Sequence, residues 1–290
     1  MTVREAAFLF ECEGDELVGI IAAPEEISSD LGVLVVVGGP QYRVGSHRQF
    51  VLMARRLAAN GFACMRFDYR GMGDATGEQR DFEHVEQDIR AAIDAFCARA
   101  PAVKRVVLWG LCDGASAACF YAAGDMRVTG MVLLNPWVKT AAGEAKTYLK
   151  HYYLQRVLEP AFWKKLMGGG VSIGKSLRGL FSAVEVASSK AGVTSDGAAE
   201  GDLPQRMAAG LVRAGKPFCV VLSERDYVAR EFESVVGAGG AWKGLTAATS
   251  PTRIAKSDHT FSTAEWRALV EDCTKAWVSA LGRGQPKEKL

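Results

Sequence analysis

The stretch Val106-Val107-Leu108-Trp109-Gly110-Leu111-Cys112-Asp113-Gly114-Ala115-Ser116-Ala117-Ala118 constrains this chain more than any other part of it. An apolar run of strand length ends in a turn with a glycine two residues to either side of a cysteine. A run of small residues with helical character follows. Strand, tight turn and helix arranged as G-x-C-x-G form a nucleophile elbow, with cysteine where serine usually stands. The glycines serve a physical purpose. The nucleophile sits on a strained turn, and strand and helix can approach closely only where no Cβ intervenes. The turn also sets the sulfur at the start of a helix, where partial positive charge stabilises an anion. The chemistry implied is attack by Cys112 on a carbonyl.

The rest of the pattern supplies a frame for such an elbow. Residues 6–12 and 16–23 predict two antiparallel strands joined at Gly14-Asp15. Residues 32–38 form a continuous apolar run, as in a strand buried on both faces. Further strand-like runs fall at 62–67, 104–109, 128–135, 216–223 and 252–255, and helical spacing at 46–60, 82–99, 112–124 and 261–281. This alternation predicts the α/β class, a mostly parallel sheet with helices on both faces. Residues 138–203 break the rhythm, being rich in Lys, Gly, Ser and Ala without a strand-length β-branched run. They predict a helical cap insertion in a core made of 1–137 and 204–283, with 284–290 a frayed, solvated tail.

Chain order then selects partners for the cysteine. An acid past a later strand and a histidine near the C-terminus complete the constellation that an elbow nucleophile requires. Strand 216–223 runs into Glu224-Arg225-Asp226, and the last apolar run is followed by Ser257-Asp258-His259. Cys112, Asp226 and His259 arrive in the required order at strand ends. His259 is the expected proton acceptor and donor, and Asp226 the group that orients its ring. Glu224 and Asp258 are neighbouring carboxylates that compete for the second role. Two backbone N–H groups are expected to hold an oxyanion: that of Asp113, and one from the loop Gly38-Gly39-Pro40-Gln41-Tyr42. Pro40 has no N–H, which leaves Gln41, with Tyr42 behind it. Tyr42 and the insertion aromatics Tyr152, Tyr153, Phe162 and Trp163 are candidates for an acyl pocket, and equally for the cap's own core.

Composition excludes several other classes. With 290 residues and 49% apolar side chains, the chain can bury a large core. A net charge of +2 gives no electrostatic case for nucleic acid. The seven cysteines show no paired spacing, which predicts reduced thiols in a cytoplasm. The N-terminus carries no secretory leader pattern, and the apolar runs are too short for an integral membrane segment. No His/Cys/Asp spacing predicts a metal site, and no cofactor is called for. Gly169-Gly170-Val171-Ser172-Ile173-Gly174-Lys175-Ser176 matches G-x-x-x-x-G-K-S, but the residues before it read as helix, whereas a phosphate-cradling loop needs a strand there.

At this level the chain resembles the α/β-hydrolase superfamily. Beside the elbow, Phe67-Asp68-Tyr69-Arg70-Gly71-Met72-Gly73-Asp74 is similar to the superfamily's F-D-x-R-G-x-G-x-S segment. More narrowly, Gly38 to Phe50 together with Gly110-Leu111-Cys112-Asp113-Gly114 resembles the exosortase A system-associated hydrolase 1 group. The resemblance implies an α/β-hydrolase fold with a cap, an esterase- or acyltransferase-like protein and a link to an exopolysaccharide and exosortase pathway, without naming a substrate; the cysteine elbow and its partners predict hydrolysis of an ester or thioester of a small-molecule acyl substrate. It departs from the usual pattern in two places, with Gly38-Gly39 where His-Gly commonly opens the oxyanion loop and with cysteine in place of serine. A thioester intermediate also passes to amines, hydroxyls or thiols, so acyl transfer in exopolysaccharide or lipid assembly stands beside hydrolysis, and a non-catalytic scaffold of the same fold beside both.

Overall fold

A computed structural model of the chain describes residues 2–39, 41–138, 202–247 and 249–284. Its elements, in order, are β1 (Val3–Cys12), β2 (Asp15–Pro24), β3 (Leu31–Val36), α1 (Gln49–Ala59), β4 (Cys64–Phe67), α2 (Glu86–Arg99), β5 (Arg105–Leu111), α3 (Asp113–Tyr121), β6 (Val128–Leu134), α4 (Leu203–Ala214), β7 (Phe218–Ser223), α5 (Tyr227–Gly237), α6 (Lys243–Ala247), β8 (Thr252–Ile254) and α7 (Ala264–Gly282). The strands form one sheet in the order β1-β2-β4-β3-β5-β6-β7-β8. β2 runs antiparallel to β1 and β4, and every other pairing is parallel. This is the α/β-hydrolase fold, and the α/β reading of the sequence holds.

The order explains where a site forms. From β3 the chain moves to β4 on one side and then back to β5 on the other. The loops after β3 and β5 therefore diverge and leave a crevice at their C-terminal ends. The strands beneath it are closed to water: all six residues of β3 and all four of β4 are buried, as continuous apolar runs under helices on both faces require. α1 packs on α7 and α2 on α3.

Local chemistry moved several boundaries. The first hairpin turns at Glu13-Gly14, both with positive φ, of 51° and 90°, a pairing whose twist matches that of the strands. The turn expected at Gly14-Asp15 is thus one residue too late, because Asp15 already pairs with Cys12. The helix expected from residue 46 begins at Gln49, since His47 and Arg48 hold φ of 53° and 62° inside a separate tight turn. The helix expected from 82 begins at Glu86 because Asp81 folds the chain first, accepting the Glu83 N–H at 2.9 Å. The chain divides into two units, Met1–Val138 with Gln205–Leu290, and Lys139–Pro204. The expected cap over 138–203 lies outside the described residues except at Val138, Asp202 and Leu203, as do most of the tail and the whole G-x-x-x-x-G-K-S stretch. Among the described residues no helix is long and apolar enough to cross a membrane.

The segment Phe67 to Asp74 is held by buried charge. Arg70 is 2% exposed and Asp88 wholly buried. Arg70 donates from Nε and Nη2 to the two Asp88 oxygens at 3.1 and 2.8 Å, and its backbone N–H adds a third bond at 2.9 Å. Its remaining nitrogen meets Glu13 in the β1–β2 turn. One guanidinium thus ties the loop after β4 to the first turn of α2 and to the edge hairpin. Removing Asp88 would strand a buried cation, and Asp88→Ala is expected to cost about 3–5 kcal/mol in urea unfolding. A loss of about 1 kcal/mol or less, the size of a surface pair, would show that Arg70 finds other solvation.

Candidate active site

Cys112 lies between β5 and α3 with φ 60° and ψ −126°, a backbone state rarely held by a residue with a Cβ. Its neighbours show why glycine flanks it. A Cβ on Gly110 would sit 2.5 Å from the Gly114 carbonyl oxygen, and one on Gly114 would collide with that of Val36. The start of α3 is therefore pressed onto both β5 and the end of β3. The turn is tied down from behind as well. The Cys112 N–H donates to Leu134 O at 2.9 Å, and Trp137 N–H donates to Cys112 O at 3.2 Å. Ser116 on α3 donates its hydroxyl to Trp137 O at 2.7 Å.

The structure brings Cys112, His259 and Asp226 together. Asp226 caps α5, accepting from the N–H groups of Val228 and Ala229 at 3.3 and 3.2 Å. The same carboxylate meets His259 Nδ1 at 2.8 Å, and the Cys112 side chain is close enough to favour charge on the His259 ring. The two competing carboxylates are occupied elsewhere. Glu224 accepts the Lys256 N–H at 2.6 Å. Asp258 accepts the N–H of Ser262 at 3.0 Å and its hydroxyl. Burial works against charge on His259, but hydrogen bonds and charge from Asp226 and Cys112 together outweigh it and raise the ring from its usual 6.5 to about 10.

On the other side of the crevice, Asp113 is the first residue of α3, so its N–H has no intrahelical carbonyl to meet. Its carboxylate points beneath the loop after β3. Oδ1 accepts the Gly114 N–H at 3.0 Å, and the Gly39 N–H also favours charge on the carboxylate. Burial raises its pKa, with those N–H groups and His259 acting in the opposite sense. A Cβ on Gly38 would collide with that same Oδ1. This accounts for glycine where histidine is common: the Asp113 carboxylate fills the space. Gln41 turns its side chain back to accept the Ser46 N–H at 3.1 Å, and Pro40 is outside the described residues. Tyr42 is 45% exposed. Tyr152, Tyr153, Phe162 and Trp163 lie outside the described residues.

Two polar clusters around the site escaped the sequence reading. Asp68, fully buried, accepts the Arg43 N–H at 2.6 Å, binds the Arg43 guanidinium, and accepts the Asp74 N–H at 3.2 Å, which braces the loop beyond Gln41. Asn135 and Ser223, at the ends of β6 and β7, hydrogen-bond each other and the backbone at Asp258 and His259. The glycine-rich segment after β4 pointed to Asp68, but no spacing marks Asn135 or Ser223. Among the other cysteines, Cys12, Cys64 and Cys119 are buried, while Cys97, Cys219 and Cys273 are half-buried like Cys112. Among the described residues no group of three or more His, Cys, Asp or Glu is placed to hold a metal ion.

Comparison with known proteins agrees with this frame. The family model for serine aminopeptidase, S33, matches residues 32–216, more than half of the chain. The chain belongs to this family. Among sequence relatives, the quorum-quenching protein AidA of Acinetobacter baumannii is 35% identical over 29% of this chain and 29% of its own length. The polyketide transferase grgF of a Penicillium species is 31% identical over 30% of this chain and 31% of its own. The chain thus aligns with under a third of either relative. An esterase of Pyrococcus furiosus superposes with a TM-score of 0.60 at 15% identity, over 95% of this chain and 93% of its own. Dienelactone hydrolase of Anabaena variabilis does so with 0.60 at 14% identity, over 96% and 98%. These structures share the fold.

The histidine supplies a direct check. A group whose folded pKa lies above its unfolded one stabilises the fold fully below the unfolded value and ceases to do so above the folded one. For His259 that contribution is complete below about 6.5 and is lost as pH rises through about 10. In an NMR titration its ring is expected to titrate near 10, and in Asp226→Asn to move down toward 6.5. A wild-type midpoint near 6.5 would mean that Asp226 and Cys112 do not favour the charged ring over burial.

Proposed function

We propose that the protein cleaves an ester or thioester of a small acyl substrate through a covalent acyl-enzyme on Cys112. The observation that carries this reading is the single imidazole held by Asp226 at 2.8 Å, with the side chain of a cysteine at a strained helix start acting on the same ring. A thiolate, not a thiol, is the attacking form, and an imidazolium held against the sulfur is its counter-ion. Sulfur attacks the acyl carbonyl, and the N–H groups of Asp113 and Gln41 hold the oxyanion. As the carbonyl re-forms, the C–O or C–S bond to the leaving group breaks and that group takes the His259 proton. Neutral His259 then removes a proton from water, whose oxygen attacks the Cys112 thioester. Collapse releases the acid and restores the pair. Asp226 holds the ring in one tautomer throughout and stays ionised.

Acyl transfer is the second reading, favoured by the relative named as a polyketide transferase. It changes only the acceptor in the second half, an amine, hydroxyl or thiol replacing water. Exopolysaccharide or lipid assembly is the setting in which such an acceptor would arise, and a cytoplasmic location suits a free thiol.

Intact-mass spectrometry after incubation with a panel of activated esters and thioesters is expected to show one acyl adduct, on Cys112, that is absent in Cys112→Ala. Iodoacetamide near neutral pH should label Cys112 first, because burial pushes the thiol of Cys12 to about 11 and those of Cys64 and Cys119 to about 12. With an alkyl ester, whose alkoxide must be protonated on leaving, acylation should decline as pH rises through about 10, where His259 loses its proton. Turnover unchanged in Cys112→Ala would rule out this mechanism. Uniform labelling of the exposed cysteines with no adduct from any ester would point to a non-catalytic scaffold.

A further inference from the structure

We infer that Asn135 and Ser223 are positioning residues that hold the His259 loop in register with Cys112, an assignment that rests on the catalytic reading of Cys112 and His259 above.

The loop needs such an anchor. The strand that leads into it, β8, has three residues and pairs on one side only, with Val221 to Ser223 of β7. So short an edge strand fixes direction but little else. Beyond Ile254 the chain turns through Lys256 at φ 59° and Phe261 at φ 50°, so the backbone between them is not held by any regular ladder.

Asn135 and Ser223 supply what the strand lacks. Asn135 is fully buried and Ser223 is 2% exposed. One Asn135 Nδ2 hydrogen goes to Ser223 Oγ at 2.8 Å and the other to the His259 carbonyl oxygen at 3.0 Å. Asn135 Oδ1 accepts the Ser223 N–H at 2.8 Å. Ser223 Oγ passes its own hydrogen to the Asp258 carbonyl at 2.7 Å. Both amide hydrogens, the amide oxygen and the hydroxyl are therefore engaged, and together they grip two successive carbonyls of the loop.

The same short segment holds the nucleophile. Leu134 O accepts the Cys112 N–H, and Trp137 N–H donates to Cys112 O. Residues 134–137 thus touch the elbow through backbone groups and the histidine loop through the Asn135 side chain. The separation of sulfur and imidazole is set through this segment, by a route independent of the Asp226 contact. Asn135 itself holds φ 41°, a region that asparagine tolerates better than most residues. An aspartate there would keep the acceptor but lose both donors, leaving the His259 carbonyl and the serine oxygen without the hydrogens they now accept.

The test uses the full-length protein in five forms: wild type, Asn135→Ala, Asn135→Asp, Ser223→Ala and Ser223→Thr. Tyr121→Phe serves as control, since it loses a buried bond to Asp125, of 2.8 Å, on the far side of α3. Two readouts are taken: the rate of Cys112 acylation, and the low-field Nδ1–H proton resonance of His259. Misplacement of about 1 Å is enough for a loss of about 100-fold. Asn135→Ala and Asn135→Asp are expected to acylate about 100-fold more slowly with KM little changed, and to broaden or shift the His259 resonance. Ser223→Ala should do the same to a smaller degree, and Ser223→Thr, which keeps a hydroxyl, should restore both. If Asn135→Ala does not fold, the serine pair carries the comparison. An unchanged resonance in Asn135→Asp and Ser223→Ala would overturn the inference whether or not the wild type turns over any ester. So would an equal fall in rate for Tyr121→Phe at matched stability. A wild type that shows the resonance and its loss in the variants, yet forms no acyl adduct, would instead leave the positioning intact and refute the hydrolase mechanism.

Discussion

Cys112 holds a backbone conformation that costs of order 1–3 kcal/mol for a residue with a side chain, and the surrounding contacts exist to keep it there. Gly110 and Gly114 let β5, α3 and the end of β3 meet at distances that no Cβ would permit. The Leu134 and Trp137 backbone groups pin the turn from the next strand. Once the turn is fixed, the sulfur stands clear of the sheet at the start of a helix, and every other part of the site is placed with respect to it. The topology makes that position useful, since β3 and β5 part at the point where the chain reverses direction across the sheet.

Each partner of the cysteine is delivered by a different kind of constraint. Asp226 is fixed as a helix cap, with two backbone N–H groups holding its carboxylate before histidine adds a third bond. His259 sits on a loop between one short strand and a long helix, and depends on side chains from neighbouring strands for its height. The loop after β3 is braced from two directions, by Asp68 on Arg43 and by Asp113 on Gly39. Asp113 thus belongs to both halves of the crevice: its N–H, at the start of α3, is the oxyanion donor of the proposed mechanism, and its carboxylate underpins the opposite wall.

The legible and illegible parts of the site separate along a physical line. The elbow, the chain order of Cys112, Asp226 and His259, and the α/β frame are all written in local pattern: glycine at fixed offsets, apolar runs, acids just past strand ends. Chain order favours Asp226, but Glu224 and Asp258 lie close enough in sequence to compete with it. Only the directions of their side chains, set by Lys256 and Ser262, separate them. Asn135 and Ser223 are 88 positions apart, on strands that pair only once the sheet has formed. A polar pair of that kind leaves no periodic trace. The boundary errors at residues 46 and 82 have the same root, since an Asx turn or a left-handed pair ends or delays a helix without altering its apolar face.

The electrostatics of the site bear on why sulfur stands where the family name leads one to expect serine. A hydroxyl nucleophile gives its proton to a neutral base as it attacks, so it needs an imidazole that is unprotonated at the working pH. Here Asp226 and the Cys112 side chain favour the charged ring against burial and raise its pKa to about 10. From across the crevice the Asp113 carboxyl is electrostatically coupled to the same ring. Such a ring makes a poor base at neutral pH but a good counter-ion for a thiolate and a good acid for a departing alkoxide. On the proposed mechanism the base is required only after acylation, when the sulfur has become a neutral thioester. The Cys112 side chain then no longer favours charge on the ring, and the balance that held its proton shifts toward release. The acyl-enzyme itself thereby prepares His259 to activate water or another acceptor.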